Sequence, residues 1–447
     1  MADLYERLKR FHQNTTDSSS PPSETPTPSS SSPLPESLRH IPGIARGRDL
    51  IGIAEKRKED KRRFLESFGV EKQKNDYGAF GFRQVFYPLG KLIHPPHDIS
   101  GEQLALLTRD SSLAPINANE ILFFDTETTG LAGGTGTLPF LIGVGFLEEE
   151  GFRVQQFLMR DYDEEGAVLF EIQKIIARFS ALASYNGKCF DAPILQSRFL
   201  LNRFSSPMQD MPHADLLFTA RRFWRDLLSD CTLLTVENYL TGANRKDDIP
   251  GEQIPYVFFD FIRGLRMERM RPVLHHNADD VLTLALIASR ACRMLRLPPP
   301  SMHGLELAAA GRCFAATNQW DLACWYLEKA VTQTEISDLH RFLIYKQLSL
   351  FLKRETRFED ACAIWERMGR DFDDPFAFVE LSKYYEHKEK NIAKALSMAE
   401  KAMDLIQYRD NGPAGGLTLS HGESLYAQLQ IRRSRLKRKS ARIRKNA

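Results

Sequence analysis

The chain has 447 residues, long enough for two or three domains, and its 43% hydrophobic and 26% charged residues suit a protein with packed cores and argue against a disordered or fibrous one. A formal net charge of +2 gives no whole-molecule steer toward or away from nucleic acid, so the distribution of charge has to carry any such argument. No window approaches ~18 uninterrupted apolar residues, and the charged start MADLYERLKR lacks an apolar stretch, so neither a membrane span nor a secretory leader is expected. Cys189, Cys231, Cys292, Cys313, Cys324 and Cys362 are scattered without a CxxC, which reads as reduced core cysteine in a cytoplasmic protein.

A short helical stub is expected over Leu4 to His12. Residues 14–38 are Ser, Thr and Pro with almost nothing to bury, so the first 40 residues read as a disordered segment. Residues 41–115 read as an extension, with a basic helical stretch before Lys74 and an extended GFRQVFYPLG. From residue 116 to 297 the pattern becomes regular. ILFFDTETTG reads as a strand, and PFLIGVGFLEEEGFRVQQFLMR as two more joined by a turn at Glu150-Gly151. DEEGAVLFEIQKIIARF has helical spacing, ALASYNG reads as a strand, DAPILQSRFLLNRF as a helix, HADLLFTA as a strand and RRFWRDLL as a helix. NADDVLTLALIASRACRML reads as a long helix that ends before Pro298. Meandering strands followed by alternating helices and strands predict an α/β layer on a mixed sheet.

Beyond Pro300 only helices are expected. QWDLACWYLEKA, RFEDACAIWERM and NIAKALSMAEKA align with Ala323, Ala361 and Ala395 in register, at roughly the 34-residue period of tetratricopeptide repeats. Residues 302–408 therefore read as stacked helix hairpins whose broad surface leaves room for a protein partner. Residues 409–447 end in nine basic residues between Arg432 and Lys445 with no acid, read as a solvated tail that aids affinity for phosphates.

Asp125 and Glu127 close the first regular strand. Side chains two apart on a strand share a face, and two like charges held there repel unless a cation sits between them. Alternating charges are common on surface strands, so the pair alone is weak. Asp191 follows the fourth strand at a helix start, and Asp280 falls on the first turns of the last helix of this region. The four acids sit at strand ends and helix starts, where open α/β sheets place their sites. Four hard oxygen donors suit Mg²⁺ or Mn²⁺, and such a set can hold two ions about 3.5–4 Å apart for in-line attack on a phosphodiester. His276, four residues before Asp280, shares its helical face and is a candidate base; His275 is off that face unless the helix starts later. GLAGGTGT leads into a strand, not a helix, and so reads as a turn beside the acids, not as a phosphate loop. Lys188 and Tyr185, in YNGKCFDAP, are candidates to reach a phosphate or the scissile end, with structural roles as the alternative, and Phe223 and Trp224 read as core.

FFDTETTG, YNGKCFDAP and HNADDV resemble the three motifs of the DEDD superfamily of 3′–5′ exonucleases, on the ribonuclease-H-like fold. DTETTGLAGGTGT, SYNGKCFDAP, IPGEQIPYVFFDFIR and HHNADDVL are more specifically similar to the YprB-type ribonuclease-H-like family, over residues 75 to 295 or so. The resemblance implies that Asp125, Glu127, Asp191 and Asp280 are metal ligands for two divalent ions and that a histidine is the general base. His276 stands at the spacing where the superfamily carries Tyr, and His275 at the spacing of its His, so both stay candidates. The function implied is metal-dependent hydrolysis of DNA or RNA from a 3′ end. An idle domain serving a nucleic-acid-binding scaffold, or a structure-specific endonuclease, are the alternatives.

Overall fold

In the computed structural model of this chain, the described residues are 56, 59–92, 95–130, 136–242, 245, 248–296, 300–410 and 419–446. The helical stub, the Ser/Pro segment and most of the glycine-rich turn lie outside them.

Seven strands form one mixed sheet. They are β1 (Glu71–Asn75), β2 (Gly78–Pro88), β3 (Ile121–Thr128), β4 (Pro139–Leu147), β5 (Gly151–Leu158), β6 (Ala181–Ser184) and β7 (His213–Asp215), in the spatial order β1-β2-β5-β4-β3-β6-β7. Neighbours from β1 to β3 are antiparallel, while β3, β6 and β7 run parallel. The meander follows from short connections, such as the one closed by Glu148 N–H donating to the Gly151 carbonyl at 2.8 Å. Residues 71–88, which the sequence assigns to an extension, add two strands to the same sheet. Glu71–Lys74, expected to be helical, pair with β2, because the chain reverses at the Asp76–Tyr77 turn and lays both segments against each other.

β3 reads Ile-Leu-Phe-Phe because it is covered on both faces. Ile121 and Phe123 enter one core and Leu122 and Phe124 the other. The same alternation carries Asp125 and Glu127 onto the face of Phe123.

Helices α1 (Gly101–Thr108), α2 (Glu165–Ile176), α3 (Asp191–Leu201), α4 (Leu216–Trp224), α5 (Leu233–Thr241), α6 (Ile254–Ile262) and α7 (Met270–Arg296) cover the sheet. The expected strand HADLLFTA is strand only to Asp215. The Asp215 carboxylate accepts Leu217 N–H at 3.1 Å, which caps α4 and starts it earlier. α7 also begins earlier than expected, with Pro272 tolerated in its first turn, so Asp280 lies in its third turn and not its first. It crosses over β4 at Gly143, where a β-carbon would stand 2.3 Å from Asn277 Oδ1 and 2.9 Å from Val281. Only glycine lets this helix come so close to the strand beside Asp125.

Residues 304–410 form three helix pairs: α8 (Gly304–Ala316) with α9 (Trp320–Val331), α10 (Asp338–Arg354) with α11 (Phe358–Asp371), and α12 (Pro375–His387) with α13 (Ile392–Asp410). Ala323, Ala361 and Ala395 each stand fourth in the second helix of a pair and are fully buried. The pairs share a core with the sheet domain. Trp224 Nε1 donates to the buried Glu306 carboxylate at 2.7 Å, and Tyr326 Oη donates to the Met294 carbonyl at 2.8 Å. The basic end is a helix, α14 (Leu419–Asn446), and not a solvated tail. Leu429 and Leu436 are buried, while Arg432, Arg435 and Lys439 all reach the Glu386 carboxylate. Seven-residue spacing of those leucines places them on one stripe that packs on α13. Four of the six cysteines are buried and all six are free thiols. Among the described residues, no helix is long and apolar enough to cross a membrane.

The Gly143→Ala variant is expected to lose about 1–3 kcal/mol of stability through overpacking against α7. Urea unfolding measures it, and an unchanged midpoint would refute the close approach.

Candidate active site

Asp125, on the α7 face of β3, accepts Asn277 Nδ2 at 2.9 Å, and the same amide nitrogen lies 3.3 Å from the Asp125 carbonyl. Asn277 is itself fixed: its Oδ1 accepts Gln156 Nε2 at 2.9 Å, and Arg83 Nη1 donates to Gln156 Oε1 at 2.6 Å. Gln156 and Asn277 are fully buried, so this chain of donors is worth more here than at a surface. β3 ends in a register shift between Glu127 and Thr128, which terminates regular pairing beside the acids.

Asp191 opens α3, and one of its carboxylate oxygens accepts the Thr126 hydroxyl. The loop before it is shaped by the buried Asp215, whose carboxylate accepts Asn186 N–H at 2.8 Å and Lys188 N–H at 3.3 Å. A β-carbon at Gly187 would stand 2.3 Å from Ser184 Oγ, so this turn admits only glycine. Asp280 accepts Arg245 Nη2 at 2.6 Å and lies 3.4 Å from His276 Nε2. Arg245 also pairs with Glu237, whose second contact from Arg245 Nε is 2.8 Å.

The electrostatics bind the four acids into one group. Burial and the charges of Asp280 and Asp191 push Asp125 well above the usual carboxylate range, with Asn277 and Arg245 opposing. Burial and the charges of Asp125, Asp280 and Asp191 do the same to Glu127. Asp191 is pushed up to about 6 by burial, against the stabilising bond from Thr126. Asp279, next to Asp280 on α7, is pushed up to about 6 by burial and by Glu237 and Asp280, with Arg245 opposing. Arg245 loses solvation on burial, yet Asp280 and Glu237 more than offset this and raise its proton affinity.

The two histidines separate. His276 Nδ1 is 2.7 Å from Asp248 Oδ1, and its Nε2 lies 3.9 Å from Glu127 and 3.4 Å from Asp280. His275 faces outward, and burial with the nearby Arg83 and Arg271 lowers its proton affinity. The Tyr185 hydroxyl donates to the Cys231 carbonyl at 2.6 Å, and Lys188 is exposed. Phe223 and Trp224 are core, as expected. Asp248, Arg245, Glu237 and Gln156 carry no signal in the local sequence that points to the site. Asn277 sits inside the quoted HHNADDV, one helical turn before Asp280, and that spacing was its available signal.

The donor set fits a hard divalent cation: carboxylate oxygens that repel one another at a strand end. Among the described residues no three such side chains already converge as a ligand set. In this arrangement Asp125, Asp191 and Asp280 are turned onto Asn277, Thr126 and Arg245.

The sequence model RNase_H_2, described as RNase_H superfamily, matches residues 122–292. The chain is 34% identical over 370 residues to "Uncharacterized protein YprB" of Bacillus subtilis (strain 168), over 80% of this chain and 85% of that one. Among solved structures, a family B DNA polymerase from Pyrobaculum calidifontis aligns with a TM-score of 0.33 and 16% identity, over 46% of this chain and 28% of that one.

In metal-free protein, Asp191 favours its protonated form on folding. The stability from that form is present below the ordinary carboxylate range and is lost as pH rises through about 6. Asp191→Asn, which keeps an acceptor for Thr126, should therefore melt higher than wild type above about pH 6 and lose that advantage in acid. Parallel thermal melts in EDTA across pH check this, and a pH-independent difference would refute it.

Proposed function

The chain belongs to the family of the Bacillus subtilis protein YprB within the ribonuclease-H superfamily, and from that premise we propose that it is a metal-dependent 3′–5′ exonuclease acting on DNA or RNA by a two-metal mechanism. The single observation that carries the reading is the electrostatic coupling of Asp125, Glu127, Asp191 and Asp280 around the end of β3, with His276 beside Glu127 and Asp280. Superfamily membership supports a nucleic-acid-cleaving hydrolase; the exonuclease polarity and the metal count are our inference.

Asp125, Glu127, Asp191 and Asp280 would hold the ions. When bound, divalent cations would lower the proton affinity of the attacking water and offset charge on the phosphate and leaving oxygen. The chain's own residues supply the remainder. Asn277 orients Asp125, and Thr126 orients Asp191. The Asp248 carboxylate accepts a proton-bearing Nδ1 of His276, which leaves the Nε2 lone pair directed to the side of Glu127 and Asp280. His276 Nε2 can then take the proton of the water as the phosphodiester is attacked. Asp248 is thus a positioning residue, and Arg245 holds Asp280 in place through their ion pair.

Four measurements test this. Wild type with Mn²⁺ should shorten 5′-labelled single-stranded DNA or RNA from its 3′ end, and Asp125→Ala should abolish the ladder. Longer internal fragments would instead indicate an endonuclease, and silence from folded wild type across both sugars would overturn the proposal. His276→Ala should lower kcat by about 10²–10⁴. Asp248→Asn should lower kcat with KM unchanged, and a rise in KM alone would overturn the positioning role. Mn²⁺ should also raise the wild-type melting temperature at neutral pH, with a smaller rise in Asp125→Asn.

A further inference from the structure

Two carboxylates are buried where α12 faces its neighbours. Glu380 accepts Lys353 Nζ at 2.6 Å and Lys383 Nζ at 2.5 Å. Glu386 accepts Arg432 at 2.8 Å, Arg435 at 2.7 Å and Lys439 at 2.8 Å. Burial works to protonate both acids, yet their cations hold both below the usual carboxylate range. A sixth cation, Lys388, stands with Nζ 3.6 Å above the centroid of the Phe358 ring and has no carboxylate partner among the described residues. Six cations therefore meet these two acids, with Glu359, Glu366 and Glu389 further out near Tyr384, which leaves a small surplus of positive charge.

That surplus surrounds a cavity. Lys353, Lys383, Lys388 and Arg432 line a space of about 240 Å³, together with Glu380, His387 and the aromatic rings of Trp365 and Tyr384. Trp365 is 1% exposed, and its Nε1–H meets no acceptor among the described residues. An unpaired buried donor carries a desolvation cost that an incoming acceptor would relieve. The Glu380 carboxylate in the lining is taken up by Lys353 and Lys383, and with Lys388 and Arg432 the cations outnumber it, so the pocket favours an anionic ligand rich in oxygen.

We propose that this pocket and the outer face of α14 form a second nucleic-acid binding surface, which takes the phosphate backbone of a single strand. α14 favours a polyanion over a lone carboxylate. Arg438, Arg442 and Arg444 are exposed on it and have no carboxylate partner among the described residues, so positive charge continues along the helix from the pocket's Arg432. A strand of phosphates repeats its charge in the same way. Tyr384 and Phe358, half-buried beside the cations, offer ring faces for bases. The choice of nucleic acid as ligand rests on the nuclease reading, but binding here does not require cleavage.

The test is binding of fluorescein-labelled oligo(dT) and oligo(U) to the full-length protein in EDTA across a salt series. Arg438→Glu alters an exposed side chain without a carboxylate partner and should melt like wild type, while Lys388→Gln removes the charge over Phe358 without placing an acid at the end of α12, and Lys388→Glu is read beside it. Each should weaken binding several-fold at low salt and make the slope of log affinity against log salt shallower by about 0.7 for every phosphate no longer neutralised. Unchanged affinity and salt slope in the folded variants would overturn the proposal. So would a wild type that ignores both oligonucleotides and instead binds poly-glutamate in a Lys388-dependent way, which would assign the pocket to an acidic protein segment. Failure of the exonuclease reading with the binding result intact would leave this surface standing, and active cleavage with no effect of either substitution would remove this surface alone.

Discussion

Four carboxylates gathered around the end of β3 are the constraint on which the rest depends. Burial and the neighbouring charges make Asp125 and Glu127 costly to ionise, and burial does the same to Asp191. A chain can keep such a group only if its surroundings supply donors to the oxygens. Here Asn277 serves Asp125, Thr126 serves Asp191, and Arg245 serves Asp280. These partners also give the acids fixed directions.

The fold is arranged to deliver those donors. Asn277 reaches Asp125 because α7 lies close over β4, and it lies close because position 143 has no β-carbon. Gln156 on β5 and Arg83 on β2 then anchor Asn277 from two strands away. The outer strand β2, remote from the acids in sequence, thereby joins the support of the site. α7 continues past the site into a core shared with α8 and α9, so the helix carrying His276 and Asp280 is held at both ends by packed structure. Such support is what keeps polar groups at fixed geometry in a buried site.

Much of this was legible in the chain. The two-residue repeat of a strand and the spacing of Asp125 and Glu127 set both on one face, and that face is the one α7 covers. The helix start at Asp191 and the one-face relation of His276 and Asp280 also follow from local periodicity. Local reading failed where a side chain overrode propensity. The carboxylate of Asp215 started a helix inside an apparent strand, and Leu429 and Leu436 turned an apparent solvated tail into a packed helix. A basic run looks the same in sequence whether it faces water or closes on a buried glutamate.

What the sequence determined by itself was therefore the set of elements and the placement of the acids along them: an α/β sheet domain with acids at strand ends, then helices in pairs. These depend on spacings of two to four residues, which backbone geometry converts directly into shared faces. Only the tertiary structure decided which groups meet across distance. It set Asp248 against His276, Arg245 between Asp280 and Glu237, and three cations of α14 on Glu386. No local period encodes such pairs, because their geometry is created when separate elements pack, and each pair spans more chain than a helical turn or a strand repeat can relate.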